Sequence, residues 1–382
     1  MKHMTSRVVL DINLDILAEN FRKISQSVAP LGTLVVLKAN AYGLGMRPIA
    51  EALTKAGAYG IATAELSEAL AANDLGLPVM ILGTILPDEL GPALQAGIHI
   101  PIAGLEEARA ASETAQRLGT TARGHIAVDT GMGRIGIQLA DARTVIPQIA
   151  SLPNLVLEGL YSHFPCADIE QDNGTLQQIE TVKQLSNDLR KNGIRIPSLH
   201  IANSAAINNF PDYACTHPFT HVRTGINLYG GFDAVANGRL QLRPVLTLRA
   251  KLAQVRTLPA GSTIGYSRTF VCQHEMRIGT IAAGYADGLP LTLSNRGSLL
   301  IRGQLCPVVG RVSMDYTTVS LDALENAEAG DDVICVGSEY TNAPSVGSWA
   351  AIKGTHPYEV LCSIGHRVQR RYIGASSAQY QS

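Results

Sequence analysis

Short apolar runs recur along the first part of this chain, each followed by a stretch of helical spacing, and that alternation limits the folds open to it. The runs are Leu34–Lys38, Tyr59–Ala62, Val79–Gly83, Ile98–Ile102, Gly124–Asp129, Leu157–His163, Leu199–Asn203 and His221–Gly225. Continuous apolar runs of this length read as strands buried on both faces. Between them lie amphipathic segments rich in Ala, Leu and Glu, such as Leu105–Leu118 and Leu176–Lys191. Before the first run, Leu14, Leu17, Ala18, Phe21, Ile24 and Val28 fall on one face of a helix. Strands alternating with helices in this number predict a (β/α)8 barrel of the TIM type. An open doubly wound sheet is the alternative, and the regular repeat suits closure better.

Past about residue 235 the helical spacing fades. Leu246–Leu252, Ile278–Ala283, Leu299–Arg302 and Val333–Val336 read as strands, separated by Gly and Pro turns such as Pro259-Ala260-Gly261. One short helix is predicted over Ser345–Ile352. The expected organisation is an α/β barrel over 5–237 and a mostly β domain over 238–382, with the boundary loop at Val235–Arg243. Met1-Lys2-His3-Met4 is set aside as a cloning scar.

Polar residues concentrate at one place in the repeat. Lys38, Asp129, His163, Asn203, and Arg223 with Gly225 sit at or just past the C-terminal end of a predicted strand. In a barrel those ends converge on the face that carries the chemistry. Lys38 ends the run Leu34-Val35-Val36-Leu37, so its amine must be paired, neutralised or covalently used. A neutral amine at a strand mouth suits Schiff-base chemistry. The segment Gly131-Met132-Gly133-Arg134-Ile135-Gly136 formally matches a dinucleotide fingerprint. It lies on the fifth repeat rather than the first and carries an arginine inside the loop, so we read it as a device for aiming Arg134 into the mouth, where it suits a carboxylate or phenolate. Ser204 reads as the cap of a helix after strand seven, and Gly225 follows strand eight. Together they suggest the phosphate site usual in barrels. A lysine, arginines and a phosphate site suggest pyridoxal 5′-phosphate, with a class I aldolase as rival.

Composition narrows the setting. The formal net charge of −1 gives no reason to expect nucleic acid or an anionic membrane as partner. The six cysteines are scattered and form no C-x-x-C, which predicts neither a metal site nor a disulfide framework. No signal-like or membrane-spanning apolar run is read, and the expected location is the cytoplasm.

Several motifs then resemble those of the alanine racemase family. They are Val36-Leu37-Lys38-Ala39-Asn40-Ala41-Tyr42-Gly43-Leu44-Gly45, Asp129-Thr130-Gly131-Met132-Gly133-Arg134, Ser162-His163-Phe164, Asn203-Ser204 and Val222-Arg223-Thr224-Gly225-Ile226. In the second part, Gly265-Tyr266-Ser267-Arg268-Thr269, Gly284-Tyr285-Ala286-Asp287-Gly288, Gly310-Arg311-Val312-Ser313-Met314-Asp315 and Pro357-Tyr358-Glu359-Val360 follow in the family's order. The resemblance covers nearly the whole chain. It implies a pyridoxal-phosphate enzyme that interconverts L- and D-alanine, supplying D-alanine for peptidoglycan, as a homodimer with shared sites.

The resemblance also implies roles. Lys38 would carry the cofactor and act as base on one face of the substrate Cα. Tyr266 of the partner subunit would act on the other face. Tyr42, Asn203, Ser204, Gly225, Ile226 and Tyr358 would hold the cofactor, mostly at its phosphate. Arg134 would meet the cofactor phenolate and the substrate carboxylate, and the backbone N–H of the partner subunit's Met314 would reach that carboxylate. Arg223 would face the pyridine nitrogen, keep it unprotonated and weaken the ring as an electron sink. A chain Tyr266–His163–Arg223 would favour the phenolate. One departure stands out: family members often carry a carbamylated lysine where this chain has Ala127. A chloride ion or ordered water in that place is the expectation. Rival functions are a broader serine or lysine racemase on the same scaffold, a non-catalytic pyridoxal-phosphate carrier and a related decarboxylase.

Overall fold

The computed structural model describes residues 6–232, 239–337 and 342–374. The expected cloning scar lies outside the described residues, and so does the part of the expected boundary loop up to Gly238. The predicted runs form the strands Gly32–Val36, Gly60–Thr63, Val79–Ile81, Ile100–Ile102, Ala122–Asp129, Leu155–Tyr161, Ser198–His200 and His221–Thr224. They pair in parallel as a four-stranded sheet and a five-stranded sheet, the latter completed by the short strand Ile137–Gln138. A parallel bridge between Met80 and His99 joins the two sheets on one side. On the other side Thr220 N–H donates to Leu199 O and Arg223 N–H to Ala202 O, each at 2.9 Å. The sheets thus close into the barrel.

The helices sit where the apolar spacing puts them. Leu14–Ser27 buries Leu14, Leu17, Ala18, Phe21 and Ile24, and Asn13 caps it by accepting from Asp15 and Ile16 N–H at 3.0 Å. Such a cap contributes about 1 kcal/mol. Buried Asn20 on the same helix donates to Leu228 O at 3.1 Å and Arg243 O at 2.7 Å. It ties the first helix to the exit of the last barrel strand.

The second unit is built on an eight-stranded sheet around the long strand Leu246–Leu258. Met276–Ile281, Ser298–Ile301 and Asp332–Val336 take the other predicted positions, and the helix Val346–Lys353 is capped by Ser345. The range 5–237 given to the barrel includes the strand Val8–Asn13, and this strand joins the β sheet instead. It pairs antiparallel with Leu246–Leu258 and parallel with Gln369–Ile373. Leu10-Asp11-Ile12 is buried throughout and places a carboxylate, 4% exposed, in the middle of the strand. Asp11 is anchored there by Arg249 at 2.8 Å and Arg371 at 2.6 Å.

Candidate active site

Lys38 does not end its strand. The strand stops at Val36, and Lys38 opens a tight turn in which Ala39, Asn40 and Ala41 have φ of 54°, 54° and 55°. Tyr42 follows at 59°. Four consecutive non-glycine residues in the left-handed region cost about 1–2 kcal/mol each. Fixed partners oppose that cost. Asn40 N–H donates to Glu68 Oε1 at 3.1 Å, and Asn40 Oδ1 accepts from Met46 N–H at 2.7 Å. At the far end, Arg370 donates to Gly43 O at 3.0 and 3.1 Å, and the Tyr372 hydroxyl to Leu44 O at 3.0 Å. Strain held by its surroundings is characteristic of functional turns. Lys38 as a residue is exposed, yet its amine lies among protein atoms in the mouth. Loss of water around the amine lowers its pKa, and the charge of Arg134 lowers it further.

Arg223 lies at the base of the mouth and is 3% exposed. No carboxylate pairs with it among the described residues. Nη1 donates to His200 Nδ1 at 2.6 Å and His200 O at 2.9 Å. Nη2 donates to Ser162 O at 2.7 Å and Ile201 O at 3.1 Å, with His163 Nδ1 at 3.4 Å. Both terminal nitrogens are therefore committed. Among the described residues Nε–H has no acceptor, which leaves one fixed donor. Burial lowers the Arg223 pKa to about 10, so the group stays protonated at neutral pH. Burial, then Arg223, Arg134 and Lys38, push His163 down to about 3. His163 is thus a neutral imidazole, locked beside a cation.

Asp129 explains the glycine loop. Its Oδ1 accepts from the N–H of Gly131 and Met132 at 2.9 Å and of Gly133 at 3.1 Å. Burial would raise this carboxyl, but the backbone donors outweigh it and the pKa is lowered. The loop wraps its own carboxylate, so its amides are spent and it is no dinucleotide cradle. Its end presents exposed Arg134 close enough for its charge to act on Lys38, His163 and Arg223. Ala127 is 2% exposed on the preceding strand, beside Tyr161 in register.

The cap after strand seven is Asn203, not Ser204: Asn203 Oδ1 accepts from Ala206 N–H at 2.9 Å. Asn203 has the extended backbone of a cap, whereas Ser204 is already helical. That frees the Ser204 hydroxyl to accept from Gly225 N–H at 3.0 Å. A Cβ at Gly225 would lie 2.2 Å from the Tyr42 phenol oxygen, so only glycine leaves this corner open. Tyr42 packs on Tyr358, with ring centroids 5.7 Å apart, and Ile226 follows directly. Lys38, Tyr42, Arg134, His163, Asn203, Ser204, Arg223, Gly225, Ile226 and Tyr358 therefore gather at the barrel mouth or its rim.

Tyr266 and Met314 do not join them within one chain. They are 73% and 52% exposed on turns of the β unit, and no hydrogen bond among the described residues links Tyr266 to His163. Sequence reasoning missed the residues that brace the site: His200, His125, Gln178, Glu68, Arg370 and Tyr372. Gln178 Nε2 holds Thr130 Oγ1 at 2.9 Å, and Thr130 meets Ser162 Oγ at 2.7 Å. His125 and His200 carried a signal, since each interrupts an apolar strand run. Arg370 and Tyr372 carried none, because they act from the far end of the chain.

Residues 12–233 match the profile of the alanine racemase N-terminal domain, and residues 245–372 that of the alanine racemase C-terminal domain. "Alanine racemase 2" of Caldanaerobacter subterraneus is 36% identical over 369 residues, covering 95% of this chain and 94% of that protein. The solved alanine racemase of Clostridium difficile superposes with a TM-score of 0.90 at 32% identity, covering 98% of this chain and 97% of the other. That of Bartonella henselae, solved with covalently bound pyridoxal phosphate, gives 0.87 at 28% identity, covering 97% and 100%. The sequence and the fold agree over nearly the whole chain: it belongs to the alanine racemase family.

Proposed function

We propose that this chain interconverts L-alanine and D-alanine with pyridoxal 5′-phosphate as cofactor. The residues fit that group. The Ser204–Gly225–Tyr42 corner suits a phosphate, Lys38 offers an amine of lowered pKa, and the uncommitted Nε–H of Arg223 suits a pyridine nitrogen. The observation that carries the reading is Arg223: a buried cation with one donor left over, backed by imidazoles and carbonyls rather than a carboxylate.

When bound, pyridoxal phosphate supplies an aldehyde for the lysine and an electron sink for charge left at the substrate Cα. Lys38 removes or returns the Cα proton on one face. The phenol of the partner subunit's Tyr266 does the same on the opposite face, and inversion follows when one takes the proton and the other returns it. Arg223, as a permanent donor, leaves the pyridine nitrogen unprotonated and restrains the sink, which favours proton return over side reactions. Arg134 binds the substrate carboxylate, helped by the backbone N–H of the partner subunit's Met314. His163 relays the charge of Arg223 toward the phenol. This reading requires a homodimer, in keeping with the exposure of Tyr266 and Met314 in the single chain. It keeps a barrel over 5–237, less its first strand, and a β unit over 238–382. A cytoplasmic location and a supply of D-alanine to peptidoglycan complete it. No helix among the described residues is long and apolar enough to cross a membrane.

Two measurements test the function together. Turnover of L-alanine, L-serine and L-lysine is compared; alanine trailing another substrate by tenfold in kcat/KM refutes alanine as substrate. Lys38→Ala is expected to abolish the visible absorbance of the bound cofactor, and a retained band refutes the lysine's role.

A further inference from the structure

The barrel core holds a file of imidazoles behind Arg223. His200 Nδ1 accepts from Arg223 Nη1 at 2.6 Å, His200 Nε2 lies 3.3 Å from His125 Nδ1, and His125 Nε2 lies 3.0 Å from His99 Nδ1. His200 is fully buried, His125 is 5% exposed, and His99 is half-buried on the way out. Because a guanidinium only donates, the direction of every bond in the file follows from its inner end. His200 Nδ1 must be bare, so its proton sits on Nε2 and points at His125 Nδ1. His125 must then carry its own proton on Nε2 and point it at His99 Nδ1. The donors run outward from the arginine, and each imidazole turns a lone pair toward it.

The fold makes room for this file. The pairing of Ala122–Asp129 with Leu155–Tyr161 shifts register between Gly124 and His125, which sets His125 opposite Gly159. A Cβ at Gly159 would lie 2.1 Å from His125 Nδ1, so no other residue there leaves the ring its place. The Tyr161 ring stacks on His200 at 5.4 Å and 2°, and Arg223 sits 5.6 Å from the same ring. The other charged or titratable groups that act on the file are His221 on the inner two rings and Glu158 and Arg123 on His99. Glu158 and Arg123 pair with each other at 2.9 Å. Nothing in the file offers a carboxylate, so the buried cation is balanced by oriented neutral dipoles.

We propose that His125 and His99 are positioning residues for the racemisation, holding Arg223 in place through His200 by a one-way file of hydrogen bonds. This rests on the reading of Arg223 as the group facing the cofactor. The file also keeps protons out. A proton on His99 Nδ1 would reverse each bond inward and turn a His200 N–H against the Arg223 donor. The depressed pKa values of His99, His125 and His200, each caused first by burial, agree with three neutral rings.

The test has two parts. Histidine ¹⁵N NMR on the cofactor-free and cofactor-loaded protein should show His99, His125 and His200 all protonated on Nε2 and bare on Nδ1. A proton on Nδ1 of any of the three, or averaging between tautomers, overturns the proposal without reference to the cofactor. In the loaded enzyme, His125→Phe should lower kcat by about 10- to 100-fold with KM nearly unchanged and shift the visible band. His125→Gln should recover most of that loss, because its carbonyl can face His200 and its amide His99. Phe and Gln variants of equal, wild-type kcat overturn the positioning role. The expected tautomers in a protein whose visible band ignores His125→Phe would instead fault the placement of Arg223 at the cofactor. If His125→Phe does not fold, Gly159→Ala displaces the same ring and is expected to give the same loss.

Discussion

The open corner at Gly225 can be closed by one methyl group. In Gly225→Ala the new Cβ would stand 2.2 Å from the Tyr42 oxygen and 3.4 Å from Val36 Cβ. The phenol must therefore withdraw by roughly 1 Å to reach ordinary contact. It has little room, since Tyr42 is 4% exposed and lies between Tyr229 and Tyr358, at 5.4 and 5.7 Å. Overpacking of this kind costs about 1–3 kcal/mol. Where that strain falls decides the meaning. If the methyl only crowds Tyr42, the urea midpoint drops and cofactor affinity holds. If the corner is where a phosphate sits, the bound state must accommodate methyl and phosphate together, and Kd for pyridoxal phosphate rises by about 5- to 150-fold. Titration of the visible band gives Kd, and urea unfolding of the cofactor-free chain gives the strain. Adding Tyr42→Phe removes the atom that the methyl meets, so the double variant should regain its urea midpoint while its Kd stays weak. A lowered midpoint with wild-type Kd in Gly225→Ala refutes the phosphate corner, and two unchanged values refute the packing behind it.

Tyr266→Phe should leave the stability of the chain itself within about 0.5 kcal/mol, because the side chain is exposed in the single chain, while slowing Cα proton exchange from one enantiomer about 10²- to 10⁴-fold more than from the other. Equal losses from both enantiomers in single-turnover exchange would contradict two opposed bases. The buried histidines predict acid lability: His125 and His163 fall from 6.5 to about 3 on folding, so below 6.5 the unfolded chain binds protons that the folded chain refuses. Their stabilisation is full above 6.5 and is lost as pH falls toward 3, by about 1.4 kcal/mol per pH unit for each ring, and His125→Gln should flatten the measured slope by one such increment. Asp11→Asn removes the carboxylate that Arg249 and Arg371 share and should cost about 2 kcal/mol in urea, the low side for a buried pair because Arg371 is half exposed. No change in the midpoint would show that those arginines find other partners.

The barrel was legible because parallel strands buried on both faces must be apolar throughout, which set Leu34–Leu37 and Val79–Leu82 apart from the helices around them. Lys38, Asp129, His163, Asn203 and Arg223 stood out because a polar residue ending such a run needs a reason. What surrounds them was less visible. Ala39, Asn40 and Ala41 contain no glycine, so nothing local announced left-handed backbone. Ser204 looked like the cap because serine is a good one, yet Asn203 is as good and comes first. The imidazole file was hidden for a different reason. His99 lies just before the strand Ile100–Ile102, His125 and His200 lie on two other strands of the same five-stranded sheet, and only the parallel pairing of those distant segments brings them into line. The strand Val8–Asn13 crosses to the other unit because its partners are the long strand from Leu246 and the one ending at Ile373, and pairing over such distances leaves no local trace.

The turn that carries Lys38 has a consequence in time as well as in space. Its strained backbone is made early in synthesis, but Arg370 and Tyr372, which grip Gly43 and Leu44, are among the last described residues. A chain folded only as far as the barrel has the lysine and lacks its latch. The shape of the turn is therefore completed only when the strand Gln369–Ile373 has joined the fold.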